Sequence, residues 1–423
     1  MADDTIDIDN VIDLAARRHA ENPEPPPWAE GLSLDKNGEP FSNLENAMTA
    51  LRDAPELNLC FAWDEMQQAA VLLAPLPGRP ESKLPRTLQD ADVSVVQEWL
   101  QRNGLHHISA DVTRRAMEHR ATERSFHPVR DYLNGLEWDR TPRLAYWLRT
   151  YLNVPDTDQD RAYVSQIGTM FLISMVARVM RPGCKCDYML VFEGDQGAKK
   201  STLCEVLAGQ WFSDDLPRIG GDAVRLSMHL RGKWLVEAAE LSTLGKSEVE
   251  DLKAVITRQS ERYTPKYGRK EVDEPRQCVL VGTTNKDTYL RDETGARRFW
   301  PVKVGAIDVA GLTRDRDQLF AEAVVRYRAG EQWWPAEGFE AQYIKPQQDA
   351  RYEADAWEQA IEAWTKEQFV TRTTILEVAK DALHFDMPRI GTADQRRIMA
   401  ALTRLGWHRG VRGTDGTRYW TIA

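Results

Sequence analysis

Apolar and polar positions alternate in blocks that change character along the chain. Near the start, Ile8, Val11, Ile12, Leu14 and Ala15 can share one helical face, and the proline-rich stretch Pro23–Pro27 ends it. Leu59–Trp63 has the run of a strand, and Val93–Arg102 the spacing of a helix that Asp92 or Ser94 would cap. Turn and aromatic residues crowd residues 126–148, and residues 160–180 read as a long, largely apolar helix stopped by Pro182 and Gly183. The centre reads differently. Asp187–Glu193 and Gln277–Gly282 are continuous apolar runs of buried-strand length, with the shorter Lys233–Val236 between them. Thr202–Ala208 and Glu248–Thr257 fit helices, the second with Leu252, Val255 and Ile256 on one face. Strands alternating with helices predict an α/β core with a parallel or largely parallel sheet. A charged helical stretch spans 315–329, composition shifts over 337–350, and helix, helix and a glycine-punctuated hairpin follow from about 354. The pattern predicts four segments: an acidic stretch and linker (1–30), a mixed, mostly helical region (31–165), the α/β core (166–345) and a compact C-terminal module (354–423).

Composition is that of a folded chain: 423 residues, 42% hydrophobic and 28% charged. No stretch approaches the roughly 18 apolar residues that a membrane span needs. The longest near-apolar run, Met170–Ala177, contains Ser174. The acidic N-terminus has neither signal-peptide nor transit-peptide character, and five cysteines fit a reducing cytosol. The net charge of −10 weighs against nucleic acid only at first sight. Residues 1–60 hold 13 Asp and Glu against 4 Lys and Arg, so the remainder is close to neutral. The acidic end fits solubility, repulsion of DNA from an outer surface, or docking of a basic partner.

Candidate chemistry begins at Gly194-Asp195-Gln196-Gly197-Ala198-Lys199-Lys200-Ser201, which follows a predicted strand and opens a predicted helix. That context suits a phosphate-binding loop, with Thr202 beginning the helix. Backbone N–H groups would cradle phosphates, Lys200 would reach the β- and γ-phosphates of ATP, and Ser201 would ligate Mg²⁺. The glycine expected just before the lysine is Lys199, and Gly197 would supply part of the missing backbone freedom. Downstream, Glu237 and Glu240 follow the short strand and offer carboxylates for Mg²⁺ and for water. Asn285 follows the third strand and can hydrogen-bond water or the γ-phosphate. Arg297 and Arg298 can place guanidinium groups on a transferring phosphate. The order of these four features is that of a nucleotide hydrolysis site.

These residues resemble the virulence-associated protein E family, replication proteins of phages and mobile elements of the superfamily-3 helicase, AAA+ type. The resemblance rests on FHPVRDYL (126–133), WDRTPRL (138–144), ARVMRPGCKCDYMLVFEGDQGAKKSTL (177–203), WLVEAAEL (234–241), YGRK (267–270), RQCVLVGTTN (276–285) and LRDETGARRFWPV (290–302). A weaker similarity covers 34–47. The resemblance implies a P-loop AAA+ α/β core, ATP-driven DNA unwinding by a ring, usually a hexamer, and a bacterial host cytoplasm. It assigns Lys200 and Ser201 to Walker A, Glu237 and Glu240 to Walker B with Glu237 also a metal ligand, and Asn285 to a sensor. Arg297 or Arg298 becomes a finger acting on the neighbouring subunit. Many relatives carry an upstream primase-polymerase domain; the short N-terminal region here implies that priming is absent or supplied by another protein.

The resemblance also implies a DNA-gripping hairpin between the acidic and sensor strands. That interval holds Arg262, Lys266, Tyr267, Arg269 and Lys270, with Gly268 suited to the turn. Residues 388–423 carry seven Arg and two Asp. There a helix over Gln395–Leu405, with Ile398, Met399, Leu402 and Leu405 inward, precedes a hairpin turning at Asp415-Gly416. This resembles a winged helix, with Arg396, Arg397 and Arg404 facing phosphate and Arg409, Arg412 and Arg418 on the wing. Cys184 and Cys186, His106 and His107, and Trp138, Trp147 and Trp300 read as structural residues. The competing class is a DNA-binding initiator or defence module that uses ATP only as a switch; a scaffold with a degenerate site is a third.

Overall fold

The computed structural model describes residues 26–81, 83–155, 157–264, 270–290, 296–352, 355–386, 390–412 and 417–422. The chain divides into two units, Met1–Gly135 with Arg231–Lys233, and Leu136–Leu230 with Trp234–Ala423. The expected segment 1–30 therefore falls largely outside the described residues.

In the first unit, β1 (Phe61–Asp64), β2 (Ala69–Leu72), β3 (Arg86–Thr87) and β4 (Ser125–Phe126) form a sheet of order β3-β2-β1-β4. β1 is antiparallel to β2 and parallel to β4. β1 starts two residues later than the pattern predicts because Leu59 is 62% exposed while Phe61 is buried. Helices Leu44–Asp53, Asp90–Arg102 and Ala110–Thr122 enclose Leu51, Leu57, Phe61, Val96, Leu100 and Ala116. The second of these helices is capped by Gln89. Asp92 lies inside its first turn, accepts the Gln89 N–H at 2.8 Å, and is forked by Arg86 at 2.7 and 2.8 Å.

The second unit is built on five parallel strands: β5 (Met189–Glu193), β6 (Phe212–Ser213), β7 (Leu235–Ala238), β10 (Val279–Thr284) and β11 (Phe299–Lys303). Their order is β11-β5-β10-β7-β6. Every residue of β5, β7 and β10 is buried, which explains continuous apolar runs without alternation. The helix Asp158–Met180 is long and apolar enough to cross a membrane by length and composition, but 83% of its apolar window is buried inside the fold. Trp147 and Trp300 are buried, as are all five cysteines, which are free.

Between β7 and β10 the antiparallel pair β8 (Ser260–Tyr263) and β9 (Val272–Pro275) forms a ribbon. At the C-terminal end, β12 (Arg372–Thr373), β13 (Trp407–Arg412) and β14 (Arg418–Ile422) form an antiparallel sheet of order β12-β14-β13. Helices Ala356–Glu367 and Thr392–Arg404 pack on it around Ile361, Ile398, Leu402, Trp407 and Trp420. Met399 and Leu405 are half-buried at the edge of that core.

Candidate nucleotide site

The loop after β5 enters the helix Lys200–Ala208 two residues earlier than its apolar pattern indicates. Gly194 donates its N–H to the Thr284 carbonyl at 3.2 Å, and a Cβ there would lie 2.9 Å from Val304 Cγ2. The close approach of β11 thus requires glycine at this position. Gly197 has φ +83° and Ala198 donates to the Asp195 carbonyl. Gln196 is exposed in the turn and Thr202 is exposed on the first helical turn. Gly197 does not stand in for the glycine missing before Lys200. Lys199 itself takes the left-handed conformation, φ 63° and ψ 29°, as the helix N-cap. Holding a side chain there costs about 1–2 kcal/mol relative to glycine.

The Lys200 ammonium donates to the carbonyls of Gly194 at 2.7 Å and Asp195 at 2.9 Å. Burial pulls its pKa below the ordinary lysine value, opposed by Glu240, Glu237 and Asp195. The next side chain is tied to the acidic strand: Ser201 Oγ donates to Glu237 Oε1 at 3.0 Å. Thr283 Oγ1 donates to the same oxygen at 2.5 Å. Glu237 is 1% exposed, and its second oxygen, Oε2, has no hydrogen-bond partner among the described residues. It is the third residue of β7, directly opposite Val281 of β10, and so lies within the sheet rather than beyond the strand end as the pattern suggests. A cavity of about 170 Å³ opens beside it, lined in part by Asp214, Asp215, Arg218 and Glu248. Glu240 is exposed in a left-handed turn just after β7, and Asn285 is exposed just after β10.

An orphaned carboxylate oxygen beside a serine hydroxyl is a hard-oxygen donor set that fits Mg²⁺. Among the described residues no group of three His, Cys, Asp or Glu could hold a metal by itself. Mg²⁺ matches such a sparse set, because it is usually held by one or two protein oxygens together with substrate phosphates.

The arginine pair lies elsewhere. Ala296–Arg298 is a short turn leading into β11, whose first residue, Phe299, pairs with Met189, the first residue of β5. The loop follows Glu193, four residues farther along, or about 13 Å at about 3.3 Å per residue. Arg297 and Arg298 therefore flank the opposite end of the sheet and are not brought to the loop of their own chain. Arg297 is exposed, while Arg298 Nε is buried without a partner among the described residues.

Of the ribbon cations, Arg262 is exposed and 3.4 Å from Asp273, and Lys270 is exposed. Lys266, Tyr267 and Arg269 lie outside the described residues, as do Gly268 and the Asp415-Gly416 turn. In the C-terminal module Arg396, Arg409, Arg412 and Arg418 are exposed. Arg397 and Arg404 do not face phosphate freely. Arg397 is paired with Asp355 through two 2.6 Å bonds and lies 3.8 Å from the Trp357 ring centre. Arg404 lies 3.2 Å from the Tyr352 ring centre, beside Glu358.

Two contributors are missed by sequence reasoning. Thr283 belongs to an apolar strand, and only its place before Thr284 and Asn285 marks it. Arg351, which forks onto Glu193 at the end of β5, has no local signal because its partner is 158 residues away.

The fold and site define a parallel α/β protein whose strand–loop–helix carries Lys200 and Ser201 against a buried carboxylate. The sequence profile of the virulence-associated protein E-like domain matches residues 133–353, more than half of the chain, and the protein belongs to that family. Among solved structures it is similar to the apo structure of the NrS-1 C-terminal region, with 13% identity over 86% of this chain and 95% of that one and a TM-score of 0.45. An A form apo structure of the same region gives 11% identity, 86% and 96% coverage and a TM-score of 0.47. No curated protein sequence matches the chain.

Proposed function

We propose that this protein is an ATP-dependent DNA helicase or translocase serving replication of a phage or integrated element. It would work as an oligomeric ring, with a P-loop AAA+ core and a winged-helix-like C-terminal module. The observation that carries the reading is the Ser201–Glu237–Thr283 constellation beside the loop, with Glu237 Oε2 buried and unpartnered. A buried carboxylate retained with a free oxygen is costly unless a ligand or water completes it, and the cavity beside Glu237 leaves room for one.

In this reading the Gly194–Ser201 backbone and the helix N-terminus hold the ATP phosphates. Lys200 exchanges the Gly194 and Asp195 carbonyls for phosphate oxygens, which its three donors allow. Ser201 and Glu237 would hold Mg²⁺, which neutralises phosphate charge when bound. Thr283 fixes the Glu237 rotamer, while Glu240 and Asn285 orient the attacking water. Arg297 or Arg298 serves the site of a neighbouring subunit, in keeping with its place at the far end of the sheet. Arg262, Lys270, Arg396 and Arg412 follow DNA phosphates.

The test is mixing. Lys200→Ala protein should hydrolyse ATP about 10²–10³-fold more slowly on its own, and Arg297→Ala or Arg298→Ala protein should regain hydrolysis when mixed with it. Parental hydrolysis by Lys200→Ala would remove the site assignment, and no recovery in either mixture would remove the trans-acting arginine. A second reading, an ATP-gated DNA-binding switch, is favoured by the strained Lys199. It predicts ATP and DNA binding without strand displacement on a forked substrate.

A further inference from the structure

Arg351 makes two attachments to segments that flank the candidate site. Its guanidinium forks onto Glu193, the last residue of β5, with Nε 2.9 Å from Oε1 and Nη2 3.0 Å from Oε2. Both side chains are largely buried. Nη1 donates to the carbonyl of Gln347 at 3.2 Å and to its Oε1 at 2.5 Å, so the guanidinium is held on several sides. The Arg351 carbonyl accepts the N–H groups of Tyr289 at 3.0 Å and Leu290 at 3.1 Å. Meanwhile Gly194, the first residue of the loop, donates to the Thr284 carbonyl.

These bonds pin the segment 285–288 at both ends. Thr284 is tied to the loop itself, and Tyr289-Leu290 to the residue that grips the strand feeding the loop. Asn285 lies inside the pinned segment. A bidentate arginine–carboxylate pair fixes direction as well as distance, which a lysine ammonium does not.

We infer that Arg351 is a positioning residue that sets the separation between the phosphate-binding loop and Asn285 by gripping Glu193 with its side chain and Tyr289-Leu290 with its carbonyl. The inference rests on the nucleotide reading above and assigns Arg351 no contact with ATP. Nucleotide affinity, carried by the loop backbone and Lys200, is expected to be insensitive to Arg351. Turnover depends on where Asn285 stands, and a misplacement of about 1 Å can cost about 10²-fold.

The experiment compares the full-length protein with Arg351→Lys and with the double variant Arg351→Met/Glu193→Met. The double variant removes both charges together, so neither is left buried and alone. Affinity for a fluorescent ADP analogue, kcat and KM for ATP, and Tm are measured on each. The expected result is analogue affinity and KM within about threefold of the parent and kcat lower by about tenfold or more in both variants. Parental kcat in the double variant overturns the inference. So does a fall in kcat matched by an equal loss of analogue affinity and a lowered Tm, because that is a purely structural role. A parent protein that neither binds the analogue nor hydrolyses ATP overturns the proposed function itself, and is distinguished by needing no variant.

Discussion

The loop region and the C-terminal module both carry charged residues that suit phosphate, yet they use them in opposite ways. Around the loop, the Glu237 carboxylate is buried and incompletely matched, its Oε2 without a partner among the described residues, while half-buried Lys200 is bonded to backbone carbonyls that phosphate oxygens can replace. In the module, two of the arginines that composition marks for DNA are matched within the protein. Arg397 is spent on Asp355 and Trp357, and Arg404 stacks on Tyr352. Richness in cations therefore says less about ligand binding than an unsatisfied buried carboxylate beside a cavity does, because leaving such a group unmatched costs free energy that a ligand or water entering the cavity recovers.

The contrast can be broken by substitution. The largest effect is expected for Lys200→Ala, which should lower ATP hydrolysis by about 10²–10³-fold in a steady-state assay. The double change Arg396→Ala/Arg412→Ala should weaken single-stranded DNA binding about tenfold and reduce the slope of log affinity against log salt by about 2. Arg397→Ala should leave that slope unchanged and instead cost about 1 kcal/mol of stability, read by denaturant unfolding. An equal slope change for Arg397→Ala would erase the distinction between matched and exposed arginines. The smallest effect is expected for Lys199→Gly: relief of the left-handed side chain, offset in part by the greater backbone entropy glycine loses on folding, should stabilise the protein by about 0.5–1 kcal/mol in denaturant unfolding.

The parallel core was legible in the sequence because β5 and β10 are buried on both faces and so read as unbroken apolar runs. Boundaries were less legible. Helix Lys200–Ala208 begins with polar residues, and β7 continues through Glu237, which hydropathy places outside a strand. The strand–loop–helix order around Gly194–Ser201 could be read because its residues are contiguous. The location of Arg297 and Arg298 could not, since it follows from β11 running parallel to β5, a pairing across more than a hundred residues. Thr283 and Arg351 were hidden for the same reason: each acts on a carboxylate that only the folded chain brings near.

The central claim is that the Glu237 carboxylate, held by Ser201 and Thr283, is the centre of ATP hydrolysis. It is tested most directly by Glu237→Gln, with hydrolysis at saturating Mg²⁺ and affinity for a non-hydrolysable ATP analogue measured on the same sample. The account predicts affinity within about threefold of the parent and hydrolysis lower by at least about 10²-fold. Hydrolysis at the parental rate would contradict it.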